Sequence, residues 1–114
     1  MTAVTVWYDG ACPLCLREIA LMRRLDRRGR IAWIDASRAD AACPLDRATM
    51  LARFHAAEGP RLHSGAAAFA AMWRALPLLR PLGEAARNPV VLRLIEAVYV
   101  RFLRIRPALQ RRLR

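Results

Sequence analysis

A strand-to-helix junction at the N-terminal end narrows the fold more than any other feature of the chain. Val4, Val6 and Tyr8 alternate with Thr5 and Trp7, a β-branched and aromatic run that predicts a strand over 3–8, closed by the turn pair Asp9-Gly10. Cys12-Pro13-Leu14-Cys15 follows, and from Leu14 to Arg28 no further Pro or Gly interrupts, so a helix begins at the cysteine pair and stops at Gly29. Pro13 suits the first helical turn, where its missing N–H costs nothing. On a 3.6-residue wheel Cys15, Ile19, Met22 and Leu25 share one face, with Arg17, Arg24, Arg27 and Arg28 mostly opposite, which aims Cys15 inward. Residues 30–35 read as a second strand, parallel to the first through the crossover helix: a βαβ unit.

Downstream the pattern is looser. Residues 36–48 carry a weak signal, with a short helix expected around 38–42 or 46–50. Residues 49–57 and 61–63, either side of Glu58-Gly59-Pro60, read as two strands joined by a tight turn, while a helix over 46–57 competes for the same stretch. Ala66 to Leu76 is an apolar, Ala-rich helix ended by Pro77. A further helix covers 90–106, with Arg93, Glu96, Arg101 and Arg104 on a narrow face and Pro107 expected to kink or end it. Its charges interrupt the apolar run before the ~20 residues a membrane span needs. With no repeat and no Gly- or Ser-rich linker, residues 1–114 are expected to form one α/β domain. Its core over 1–76 has the thioredoxin-like order βαβ(α)ββα, and 77–114 form an appended helical extension.

Hydrophobic residues make up 56% of the 114-residue chain and charged residues 25%, a globular rather than disordered composition. The net charge of +11 comes from arginine alone, and +9 of it falls in 61–114, where Glu84 and Glu96 are the only acids. No secretory leader is legible in Met1–Trp7, so a cytoplasmic setting is expected. Three cysteines in a reducing compartment argue against a structural disulfide framework and leave redox catalysis or metal binding.

The position of the pair suits redox chemistry. Thiolates, not thiols, attack disulfides, and unpaired N–H groups at a helix start stabilise the anion. Cys12 caps the expected helix and should be exposed enough to attack; Cys15, one turn later, resolves the mixed disulfide. Asp9 is a candidate proton relay, Arg17 a candidate source of positive potential, and Trp7 or Tyr8 a candidate shield or substrate groove. The expected partners are a thiol or disulfide compound, protein or small molecule, and an external reductant or oxidant; no bound cofactor is required. Direction follows from a reduction potential, which residues alone do not supply.

At these residues the chain resembles the DCC family of thiol-disulfide oxidoreductases, whose motif D-G-x-C-x-x-C is Asp9-Gly10-Ala11-Cys12-Pro13-Leu14-Cys15 here. The likeness extends to Trp33-Ile34-Asp35, to Gly65-Ala66-Ala67-Ala68-Phe69 and to Tyr99 with arginines after it. It implies a thioredoxin-like fold, a redox role for Asp9, Cys12 and Cys15, and supporting positions at Gly10 and Pro13. Thioredoxins also present a cis-proline just before the third strand; Pro44 can fill that slot only if the strand begins soon after Leu45.

Two rival readings treat the CxxC as non-catalytic. In one, Cys12, Cys15, Cys43 and His55 or His63 form a Cys₃His zinc site, although such sites usually use two closely spaced ligand pairs. In the other, the basic half grips an anionic surface. Nucleic acid is disfavoured because no recognition motif is present. Helix 90–106 fits peripheral membrane contact better. Its competing role is to pack on the domain's own sheet or on a second subunit, and burial of Leu94, Val98 and Phe102 would support packing.

Overall fold

A computed structural model describes residues 3–113 of the chain. Its elements run β1 (Val4–Tyr8), α1 (Pro13–Leu25), β2 (Ile31–Asp35), α2 (Arg47–Ala52), β3 (His55–Glu58), β4 (Arg61–Ser64), α3 (Ala66–Ala75), α4 (Arg80–Ala85) and α5 (Pro89–Leu113). The sheet order is β2-β1-β3-β4. β1 pairs parallel with β2, Val4 opposite Ile31 and Tyr8 opposite Asp35. β3 runs antiparallel to β1, with Trp7 opposite His55, and β4 antiparallel to β3. A parallel βαβ unit extended by a hairpin is the thioredoxin-like arrangement expected above.

The period-two run of β1 divides the core into two layers. Val4 and Val6 face α1 and α3, where Ile19, Met22, Ala68, Ala71, Met72 and Leu76 bury against them. The alanines of α3 bring that helix close to the sheet without overpacking. Trp7 faces the other way into a smaller cluster with Ala36 and Met50. Its indole N–H donates to the carbonyl of Ala42 at 2.8 Å and ties the 36–46 connection to the sheet.

Several boundaries differ from the sequence reading. α1 stops at Leu25 rather than Arg28 because Asp26 caps it, its carboxylate accepting the N–H groups of Arg30 (2.9 Å) and Ile31 (3.1 Å). Both readings of 46–57 hold in part. Asp46 caps the short α2 through the Thr49 N–H at 3.1 Å, and the strand begins only at His55. α5 runs through Pro107 to Leu113. Pro107 is exposed, so the carbonyl it deprives can turn to water.

Pro44 does not fill the thioredoxin proline slot. α2 separates it from β3, it lies exposed, and no cis peptide bond occurs among the described residues. Arg53-Phe54 occupies the approach to β3 instead.

Residues 77–113 fold back on the core. Tyr99 of α5 is buried; its hydroxyl accepts the Phe54 N–H at 2.7 Å and its ring meets Phe69 edge-on at 5.5 Å. Phe54 in turn stacks on Phe69 at 4.3 Å. Glu96 pairs with Arg53, whose guanidinium passes over Gly65. Gly65 has φ +62°, a backbone conformation that side-chain-bearing residues rarely adopt, so this position favours glycine. No described helix is long and apolar enough to cross a membrane.

Candidate active site

The cysteine pair lies where the C-terminal end of β1 turns into α1. Asp9 shapes the turn: its Oδ1 accepts the Ala11 N–H at 2.9 Å, and its carbonyl accepts the Cys12 N–H at 3.1 Å. From the neighbouring strand Asp35 accepts the Gly10 N–H at 2.9 Å, along with the N–H and hydroxyl of Ser37 at 3.0 and 2.6 Å. Burial pushes the Asp35 carboxyl upward, but these hydrogen bonds outweigh it and hold the group below its usual range. A methyl on Gly10 would overlap that carboxylate, so glycine is required by close approach.

Cys12 is the N-cap of α1 and Pro13 its first residue; the Cys12 sulfur accepts the Cys15 N–H at 3.2 Å. This is the expected helix-start geometry, but the exposures are reversed. Cys12 is only 2% exposed, whereas Cys15 is half-buried and lines a cleft. Turning back onto the first turn to cap the helix hides the Cys12 sulfur. The Cys15 thiol is pushed up to about 12, chiefly by burial and then by its hydrogen bond with Cys12, with the Arg106 charge opposing.

The cleft is narrow, with a cavity volume of ≈ 40 Å³. β1 contributes Trp7 and Tyr8, the turn Asp9, and α1 Cys15, Glu18 and Ile19. Met50, Leu51, Arg53, Phe54 and Phe69 supply the far wall, and Tyr99, Phe102 and Arg106 reach in from α5. Arg106 Nη2 stands 3.4 Å from Asp9 Oδ2, both side chains largely sheltered. Burial raises the Glu18 carboxyl above its ordinary value, and burial likewise raises the Tyr99 phenol.

The sequence candidates therefore separate. Asp9, Cys12, Cys15, Gly10 and Pro13 come together at the junction, and Trp7 and Tyr8 border the cleft. Arg17 is exposed, and the cation beside Asp9 and Cys15 is Arg106. Arg106, Glu18 and Arg53 were missed; a spacing rule could have placed Glu18 one turn beyond Cys15, but nothing local marks the other two. The Cys₃His set does not assemble among the described residues. Cys43 packs against the Trp7 cluster, buried His55 hydrogen-bonds its ring to the Arg53 carbonyl at 2.8 Å, and His63 turns to Glu58 at 3.5 Å.

A cysteine pair capping the first helix of a thioredoxin-like sheet defines a class, that of thioredoxin-like thiol-disulfide oxidoreductases. Within it, the family of DCC1-like thiol-disulfide oxidoreductases matches residues 6–112, nearly the whole chain, and this protein belongs to that family. An uncharacterized chloroplastic protein of Arabidopsis thaliana is 38% identical over 58 residues, covering 46% of this chain and 27% of that protein, so the chain spans about a quarter of the relative's length. No solved structure matches.

Proposed function

We propose that the protein exchanges electrons with its substrate through Cys12 as the attacking thiolate and Cys15 as the resolving thiol. The observation that carries this is the asymmetry of the pair. The Cys12 sulfur sits on a helix-start N–H at 3.2 Å, where the backbone field favours an anion. Cys15 has its thiol pushed up to about 12 and stays protonated at neutral pH.

In the reducing direction the helix start opens to uncover the Cys12 sulfur, which is 2% exposed at rest, and Cys12 S⁻ attacks one sulfur of a substrate disulfide, forming a Cys12–substrate disulfide and releasing the other half as a thiolate. Cys15 then gives up its proton and attacks the Cys12 sulfur. The Cys12–Cys15 disulfide forms, the second substrate thiolate leaves, and two electrons have passed from the dithiol to the substrate. An external dithiol or thiol reductant regenerates the pair, and the reverse sequence oxidises a substrate dithiol. Asp9 and Glu18 border Cys15 in the cleft, and we assign Asp9 the acceptance of its proton, with Arg106 holding that carboxylate in place. The approach to β3 carries Arg53-Phe54 rather than proline, and the cleft is walled by aromatic rings; both favour a small disulfide over an extended polypeptide.

Trapping tests the order of attack. Incubated with an aromatic disulfide reagent at neutral pH and read site by site, Cys15→Ser should accumulate a stable mixed disulfide on Cys12, and Cys12→Ser should form none on Cys15. Equal trapping by both variants, or trapping on Cys15 alone, overturns the assignment.

A further inference from the structure

We propose that the outward face of α5 docks on an anionic lipid surface. Along this 25-residue helix the inward side is occupied by Tyr99, Phe102 and Arg106, which reach the core and the cleft. A flank roughly 110° further round the helix carries Val90, Leu94, Val98 and Ile105, which are 62%, 65%, 68% and 54% exposed. At 100° per residue these four fall within one narrow stripe. Arg93, Arg104 and Arg111 run along one edge of the stripe and Arg101 lies within it, all exposed. None of these four arginines has a carboxylate partner among the described residues. The single acid of the helix, Glu96, is held by Arg53 toward the core.

The outward surface therefore combines two things that one partner must satisfy together. Apolar side chains need hydrocarbon to leave water, and the arginines beside them need anions at the same depth as their guanidinium ends. A bilayer with anionic headgroups presents both to a helix lying flat in its interface. Nucleic acid would match the arginines and leave the valines and Leu94 in water. A second copy related by two-fold symmetry would set these arginines against their own kind.

The test is co-sedimentation of the full chain with vesicles of phosphatidylcholine containing phosphatidylglycerol, beside vesicles of phosphatidylcholine alone. The protein should sediment with the anionic vesicles, less so at high salt and little with the neutral ones. Leu94→Ser/Val98→Ser and Arg93→Gln/Arg104→Gln should each weaken binding by about tenfold or more. Leu94→Phe should strengthen it, and circular dichroism should show all three variants folded. Absence of sedimentation with anionic vesicles overturns the proposal. So does binding that Leu94→Ser/Val98→Ser leaves unchanged, which would be charge attraction alone. A dimer dissolved by that variant, without vesicle binding, would assign the face to a second copy.

Discussion

Cys15 is the residue whose chemistry the fold changes most. With its thiol at about 12, its thiolate fraction at neutral pH is on the order of 10⁻⁵. Site-resolved alkylation of the reduced protein should therefore leave Cys15 almost unmodified near neutral pH, with its rate climbing as pH rises toward about 12. Arg106 opposes that rise, so Arg106→Ala should push the thiol further up and slow resolution of the mixed disulfide several-fold, with Arg106→Lys partly restoring it. A rate of Cys12–Cys15 closure unchanged in Arg106→Ala would remove Arg106 from its positioning role. The motif residues themselves were legible because each is a local instruction: Pro13 opens a helix, Asp9-Gly10 makes the turn, and the cysteine spacing puts both sulfurs on the first turn. Arg106 was not, since it lies 97 residues from Asp9 and only the return of the chain brings them together. The exposures of Cys12 and Cys15 were misread for a related reason: a helical wheel shows which residues share a face, not which sulfur turns back to cap the helix.

Among the elements, β1, α1, β2 and α3 were legible because period and punctuation agree along each. Residues 46–57 were not. Six residues of helix capped by Asp46 and four of strand compete over a stretch too short for either period to dominate, and burial of Met50 and Ala56 on different layers decides the outcome. The role of α5 was legible only in part: Phe102 is half-buried as the packing reading required, whereas Leu94 and Val98 are exposed and Tyr99 is the residue that buries. Tyr99→Phe removes the acceptor of the Phe54 N–H and should lower stability by about 1 kcal/mol in a urea titration, loosening the cleft wall at the same time. Gly65→Ala, strained at φ +62°, should cost about 1–2 kcal/mol; a neutral result would contradict the positive-φ turn between β4 and α3.

The molecule as a whole has an unusual alkaline signature. All its basic side chains other than two histidines are arginine, which keeps its charge at any accessible pH, so no lysine titration obscures the behaviour of the thiols and phenols. Cys15, raised from 9.0 to about 12, and Tyr99, raised above 10.0, both prefer the neutral form in the folded state. Their contribution is fully present below about pH 9 and is lost as pH climbs toward about 12, because the unfolded chain ionises first. Urea midpoints should fall across that window, and Cys15→Ser should flatten the fall. At the acid end the sign reverses for Glu58, held low chiefly by its paired hydrogen bonds from Arg74 at 2.9 and 3.0 Å, so its share is lost as pH drops through the carboxylate range.

The measurement that bears most directly on the account is a redox titration of the purified chain in thiol-disulfide buffers, reading Cys12–Cys15 disulfide by thiol labelling. A reversible two-electron couple confined to this pair, abolished by Cys12→Ser and by Cys15→Ser while Cys43 stays reduced throughout, is the predicted result. A pair that never closes under mild oxidant, or a couple that persists when either cysteine is replaced, would contradict it.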